Sequence, residues 1–111
     1  MDAHNLAVLR GVVTSEPKLR ELPSGSTVTN VEITTRGEAL TATVPVVVHD
    51  RPVAVTSGDE VVVVGYVQRR FFRAGGVTQS RTEVVATQLV PARRARTVER
   101  AIAAAAAMLT T

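Results

Sequence analysis

The chain of 111 residues has no cysteine and no tryptophan, and its aromatic residues amount to one tyrosine and two phenylalanines. Without cysteine there is neither a disulfide framework nor a thiolate metal site, a composition that fits a reducing compartment. Histidine is nearly as scarce: His4 and His49 stand alone, with no H-x-x-x-H spacing to aim two imidazoles at one metal. The carboxylates are scattered, and the adjacent pair Asp59-Glu60 would point to opposite faces of a strand. No glycine-rich loop leads from a strand into a helix, so a phosphate cradle of the P-loop kind is lacking. Nothing in the spacing of Ser57, His49 and Asp59 supports a catalytic triad. These absences argue against an enzyme and for a protein that needs no cofactor or metal. No run approaches the ~18 apolar residues of a membrane span, and the start MDAHNLAVLRGVV has no basic segment leading into a long apolar one. The sequence reads as soluble and cytoplasmic, with no membrane partner.

What is present in quantity is valine. Hydrophobic residues make up 45% and charged residues 21%, an ordinary globular balance at a length that serves one core, and β-branched enrichment points to sheet. The charge is unevenly placed. Residues 1–68 hold five basic and eight acidic groups, residues 69–111 eight basic and two acidic, and every basic residue except Lys18 is arginine. A GC-rich genome alone would favour arginine, so identity says little. Clustering says more, because a flat guanidinium forks onto phosphate and stacks on rings.

Strands are expected at 5–13, with Gly11 marking a bend or close backbone approach, at 27–36, where Thr27, Thr29, Val31 and Ile33 alternate with Asn30, Glu32, Thr34 and Arg36, and at 40–49. Pro45 within the last hints at an edge or bulge. Pro23-Ser24-Gly25 is a turn after a short extended piece at 19–22. Residues 50–58 are too punctuated for a stable helix. The longest strand starts at Glu60, turns at Gly75-Gly76 and returns from Val77 to Val90, closed by Pro91. Strands with Gly/Pro turns and no alternating helices predict an antiparallel all-β domain over 1–91, a small closed barrel. The Ala-rich segment 92–111 predicts a helix capped by Thr97, with an apolar stripe of Val98, Ile102, Ala105 and Leu109 that docks on the barrel or on another subunit, or else frays.

The stretch NLAVLRGVVTSEPKLRELPSGSTVTNVEIT resembles the opening of the bacterial single-stranded DNA-binding protein (SSB) family, with Asn5, Gly11, Pro17, Leu19, Arg20, Pro23, Ser24, Gly25, Val28 and Asn30 in register. GDEVVVVGYVQRRFFRAGGVTQSRTEVVATQLVP resembles the family's later strands and its protruding basic and aromatic hairpin. The resemblance covers about residues 5–91. It implies a five-stranded Greek-key OB-fold, usually tetrameric, that wraps single-stranded DNA without sequence preference in replication, repair or recombination, in the cytoplasm at the nucleoid.

Such binding needs cations for the backbone and aromatic faces for the bases. Arg69, Arg70, Arg73 and Arg81 lie on the two arms of one hairpin, with Phe71 and Phe72 between them and no acid from 69 to 81. Phe72 falls where the family carries a stacking aromatic. Arg20, Arg36 and Tyr66 complete the candidate nucleic-acid contacts. The alternative is that both phenylalanines only pack the hairpin or a subunit interface.

Differences from the family shape the expectation. Val31, Val44 and Val48 stand on strands where relatives carry further aromatics, so binding should be weaker per nucleotide and more salt-sensitive. The segment before residue 60 is shorter than one holding a helix. A basic Ala-rich segment stands in place of the family's flexible tail with its acidic tip, so the resemblance does not carry over recruitment of repair enzymes through such a tip. A homo-oligomer, dimer or tetramer, is expected. The second reading is an OB-fold assembly subunit of primosome or recombination type, its arginines gripping an acidic protein partner. RNA binding is the third reading, because neither stacking nor phosphate pairing senses the 2′-OH without a dedicated contact.

Overall fold

The computed structural model describes residues 3–110 and holds six strands and one helix: β1 (Ala7–Val13), β2 (Lys18–Glu21), β3 (Thr27–Arg36), β4 (Thr41–His49), β5 (Glu60–Ala74), β6 (Val77–Pro91) and α1 (Ala95–Met108). Neighbours run β1-β5-β6-β4-β3-β2, and a β1–β3 pairing closes five of these strands into a ring. All pairings are antiparallel except β4–β6, which is parallel through Val46↔Val84 and Val47↔Val85. This is the closed Greek-key arrangement of an OB-fold. The short piece expected before the Pro-Ser-Gly turn is the sixth strand, β2, which lies outside the ring and pairs with β3 from Lys18↔Asn30 to Glu21↔Thr27.

Closure rests on two glycines. β1 runs beside β5 as far as Val12 and there crosses to β3. At the crossing a Cβ on Gly11 would lie 2.4 Å from the Thr34 carbonyl oxygen, so the close approach expected from the sequence is real. Opposite Val64/Gly65 of β5, β6 carries a bulge, Thr87 being the residue without an opposite partner. There a Cβ on Gly65 would sit 2.0 Å from the Val85 carbonyl oxygen. Side-chain alternation then fills the interior with Val13, Val31, Ile33, Val46, Val61 and Val63.

Pro45 illustrates the edge rule. The backbone N–H of Glu32 donates to Ser15 Oγ and its carbonyl accepts from Thr14, so the Glu32↔Pro45 pair exchanges no ladder bonds. The nitrogen of Pro45 therefore faces away from β3, where β4 meets β6 only from Val46 onward.

The helix differs from expectation in its start and in its buried stripe. The chain turns at Pro91–Arg94, with Arg94 N–H on the Pro91 carbonyl, and α1 begins at Ala95 with Arg94 in the capping position and no side-chain cap. Thr97 therefore lies inside the first turn and caps nothing. The docked stripe is Val98, Ala101 and Ala105, packed on Val62, Val64, Val90 and Leu6, whereas Ile102 and Leu109 are exposed. Alanines win because the helix lies close to the valine-covered outer face of β5 and β6, and a longer side chain would hold it off. Ala101→Leu should cost about 1–3 kcal/mol by overpacking, and Ala104→Leu, on the exposed side, close to nothing. Urea unfolding midpoints measure both, and equal midpoints would mean that the helix is not docked.

Candidate nucleic-acid interface

β5 and β6 continue beyond the ring as a hairpin, paired without interruption from Gln68↔Glu83 to Ala74↔Val77, with Gly75 and Gly76 both at positive φ in the two-residue turn. Alternation divides its side chains between two faces. Tyr66, Gln68, Arg70 and Phe72 of β5 share one face with Val85, Glu83, Arg81 and Gln79 of β6. Arg69, Phe71 and Arg73 share the other with Thr82, Ser80 and Thr78.

Each face carries one arginine laid over one ring: Arg69 over Phe71 at 5.0 Å, and Arg70 over Phe72 at 5.1 Å from ring centroid to guanidinium carbon. Phe71 is the more open ring, 63% exposed, and Phe72 is half-buried. Arg69 also donates to Ser80 Oγ at 3.1 Å and Arg73 to the Gly76 carbonyl at 2.7 Å. These bonds stiffen side chains that would otherwise lose rotamer freedom on binding.

The first face opens onto a groove of about 290 Å³, walled on the far side by β2 and floored by β3. Lys18 and Arg20 stand opposite Asn30 and Val28, and Arg70 opposite Arg81. Four cations from two hairpins thus line one groove. Two acids line it as well. Glu16 is occupied by Thr56 Oγ1 at 2.8 Å and the Ser57 N–H at 3.2 Å, which ties the turn after β1 to the 50–59 connection. Glu32 is the other.

Beneath the arginines lies a carboxylate that the sequence pattern does not single out. Glu83 is only 2% exposed. Its Oε2 accepts from Gln68 Nε2 at 2.9 Å and from Arg70 Nε at 3.3 Å, and Arg81 Nε stands 3.9 Å from Oε1, which has no hydrogen-bond partner. The acid-free window of 69–81 closes two residues short of it. On a strand, residues 81 and 83 share a face, so the i, i+2 spacing is the signal that could have found it. Glu83 holds Arg70 by one N–H and pairs with Arg81 by charge alone, and both arginine side chains stay about 40% exposed, with most of their five N–H donors each not spent on the carboxylate. The anchor also removes one unit of positive charge from the groove.

The structure thus brings Arg20, Arg70 and Arg81 together, adds Lys18, and sets Arg69, Phe71 and Arg73 on the reverse of the same hairpin. Tyr66, 40% exposed, lies on the groove-side face opposite Val85. Arg36 stands at the end of β3 opposite Thr41 and is not among the residues lining the groove. Asn5, in the sequence only one position of the motif, has a structural role. Its side-chain amide donates to the Val67 carbonyl at 2.7 Å and accepts from the Val67 N–H at 2.9 Å, extending the β1–β5 ladder by one rung. Among the described residues no three His, Asp or Glu side chains gather as a metal site.

No protein-family model matches the chain, and no curated protein matches it. Among solved structures it is similar to one described as a Plasmodium falciparum SSB complex with ssDNA, at 20% identity and a TM-score of 0.69, over 82% of this chain and 97% of that one. At that identity the likeness is one of fold.

Proposed function

We propose that this protein binds single-stranded DNA without sequence preference, as an SSB-like OB-fold protein acting in DNA replication, repair or recombination. The observation that carries the reading is the convergence of Lys18, Arg20, Arg70 and Arg81 on one groove beside a hairpin bearing an Arg–Phe stack on each face. A strand laid along the groove meets cations at its phosphates, while Phe72 and Tyr66 on the groove-side face offer ring faces to splayed bases and Phe71 offers a third to a strand that wraps round the hairpin. With three rings in the whole chain, affinity comes mainly from phosphate contacts. The fold neighbour's complex with single-stranded DNA supports the reading, as does the register of the Pro-Ser-Gly motif. The reading assigns no catalysis and no cofactor. A homo-oligomer, dimer or tetramer, belongs to it, since Val8, Val67 and Ile102 leave apolar surface uncovered.

Tyr66 is the sole tyrosine and tryptophan is absent, so intrinsic fluorescence reports one point on the groove-side face. Adding oligo-dT should quench it saturably. Binding seen by gel shift with unchanged tyrosine emission would place the DNA elsewhere.

Glu83 favours a second reading, an assembly subunit whose arginines grip an acidic protein partner, because a carboxylate already sits against two of them. Absence of any gel shift with oligo-dT at ~50 mM salt would select it.

A further inference from the structure

At the other end of β6, away from the hairpin, the loop from Asp50 to Asp59 stands off the strand and leaves a cleft of about 340 Å³, bounded also by the turn into α1. Its floor is aliphatic, with Val48, Val53, Val55, Leu89 and Val90 among its walls, and its cations are Arg51, Arg93 and Arg94. None of its lining residues is acidic or aromatic. The nearby carboxylates are engaged, Asp59 by the Thr56 N–H at 3.0 Å and Glu60 by Arg10 at 2.8 Å.

The cleft also exposes backbone. β4 leaves β6 after Val85, so from Ala86 onward β6 is bonded on its β5 side alone. The Ala92 N–H points to β5, where it meets the Glu60 carbonyl. Residues two apart point the same way, so Leu89 turns its N–H and carbonyl to the cleft, while the Pro91 carbonyl on the same side is taken by the Arg94 N–H at 3.0 Å. Pro91 has no N–H to offer, which suits an open edge. Among the described residues the loop makes no backbone hydrogen bond to this edge. It is fastened instead by Arg51, whose Nη1 donates to the Thr87 carbonyl.

We infer that this cleft is a docking site for an extended acidic peptide segment carrying aliphatic side chains. Each part of the lining selects for that chemistry. The free edge at Leu89 accepts a peptide backbone by strand addition, the aliphatic floor takes its apolar side chains, and Arg93 and Arg94 fork onto its carboxylates. A nucleic-acid strand would find phosphate partners here but no ring to stack on. The site is separate from the hairpin groove, so a protein bound to DNA through the groove keeps this end free to hold a protein partner.

The test is fluorescence anisotropy with a dye-labelled peptide of sequence Asp-Glu-Leu-Asp-Leu-Glu-Glu. Saturable binding is expected, weakened at least tenfold by Arg93→Glu/Arg94→Glu and at least fivefold when both peptide leucines become serine. Both arginines are exposed, and an acidic residue suits a helix start, so the charge-reversed variant should fold. The milder Arg93→Ala/Arg94→Ala should weaken binding in the same direction, with oligo-dT affinity changed less than twofold. No saturable binding, equal binding by the wild type and both variants, or displacement of the peptide by stoichiometric oligo-dT would overturn the inference. The first two outcomes leave DNA binding at the hairpin untouched, and the third is told apart from a failure of that reading by the groove variants, which lower oligo-dT affinity only if DNA lies in the groove.

Discussion

Replacing Arg70, Phe72 and Arg81 together by alanine should lower oligo-dT affinity by at least a hundredfold at ~50 mM salt. The two arginines supply the hairpin side of the groove, and each lost phosphate contact lowers the salt slope by about 0.7 for a single strand. Loss of one stacking ring adds roughly 1–3 kcal/mol, itself about five- to hundredfold. The variant needs a folding control, because it strands Glu83, which is buried and holds Arg70 at 3.3 Å. Adding Glu83→Gln removes the unpaired charge while keeping a side chain that can still meet Gln68. If both variants are folded by circular dichroism and bind as tightly as wild type, the groove is not the DNA site. Glu83→Gln alone should tighten binding severalfold, since it returns a unit of positive charge to the groove without touching an arginine.

Gly65→Ala should destabilise the fold by more than the roughly 1–3 kcal/mol usual for overpacking. The added carbon would lie 2.0 Å from the Val85 carbonyl oxygen and 2.8 Å from its carbon. Both are backbone atoms of the strand paired to it, so no rotamer change makes room. Relief requires β5 and β6 to separate at the bulge that aims the hairpin, so DNA binding should fall along with stability. Gly25→Ala is the comparison. Gly25 sits at φ 90° with nothing within 4 Å of its added carbon, and its substitution should cost about 1 kcal/mol from backbone conformation alone. Urea denaturation of both variants decides it; a Gly65→Ala midpoint no lower than that of Gly25→Ala would mean that the bulge is not a close contact.

Much of the fold was legible because β-sheet signals are local. The Leu22–Gly25 turn forms as its residues demand, with the Gly25 N–H on the Leu22 carbonyl. Thr27–Arg36 alternates as a strand should, and Gly11 and Pro45 stand where a close approach and a free edge require them. The strand and turn pattern pointed to a closed barrel but not to which strands close it, since nothing local says that β1 will leave β5 for β3. The helix stripe misled for a related reason. Periodicity favoured the largest apolar side chains, Ile102 and Leu109, whereas the depth available over Val62 and Val64 admits alanine. At the site, the hairpin arginines could be read as a cluster, but which face each takes follows from the bulge at Val64/Gly65. The part of Lys18 depends on β2 folding back beside β3, a contact set by tertiary pairing. Glu83 lies just past the acid-free stretch, and only the strand face it shares with Arg81 ties it to the cluster.

The central claim is that single-stranded DNA is held in the groove of Lys18, Arg20, Arg70 and Arg81 mainly through its phosphates. The most direct measurement is an anisotropy titration of labelled oligo-dT between ~50 and ~200 mM salt. Four phosphate contacts predict a log–log slope near −3, a loss of roughly fiftyfold across that range. A flat dependence, or no binding at the lower salt, would contradict the account.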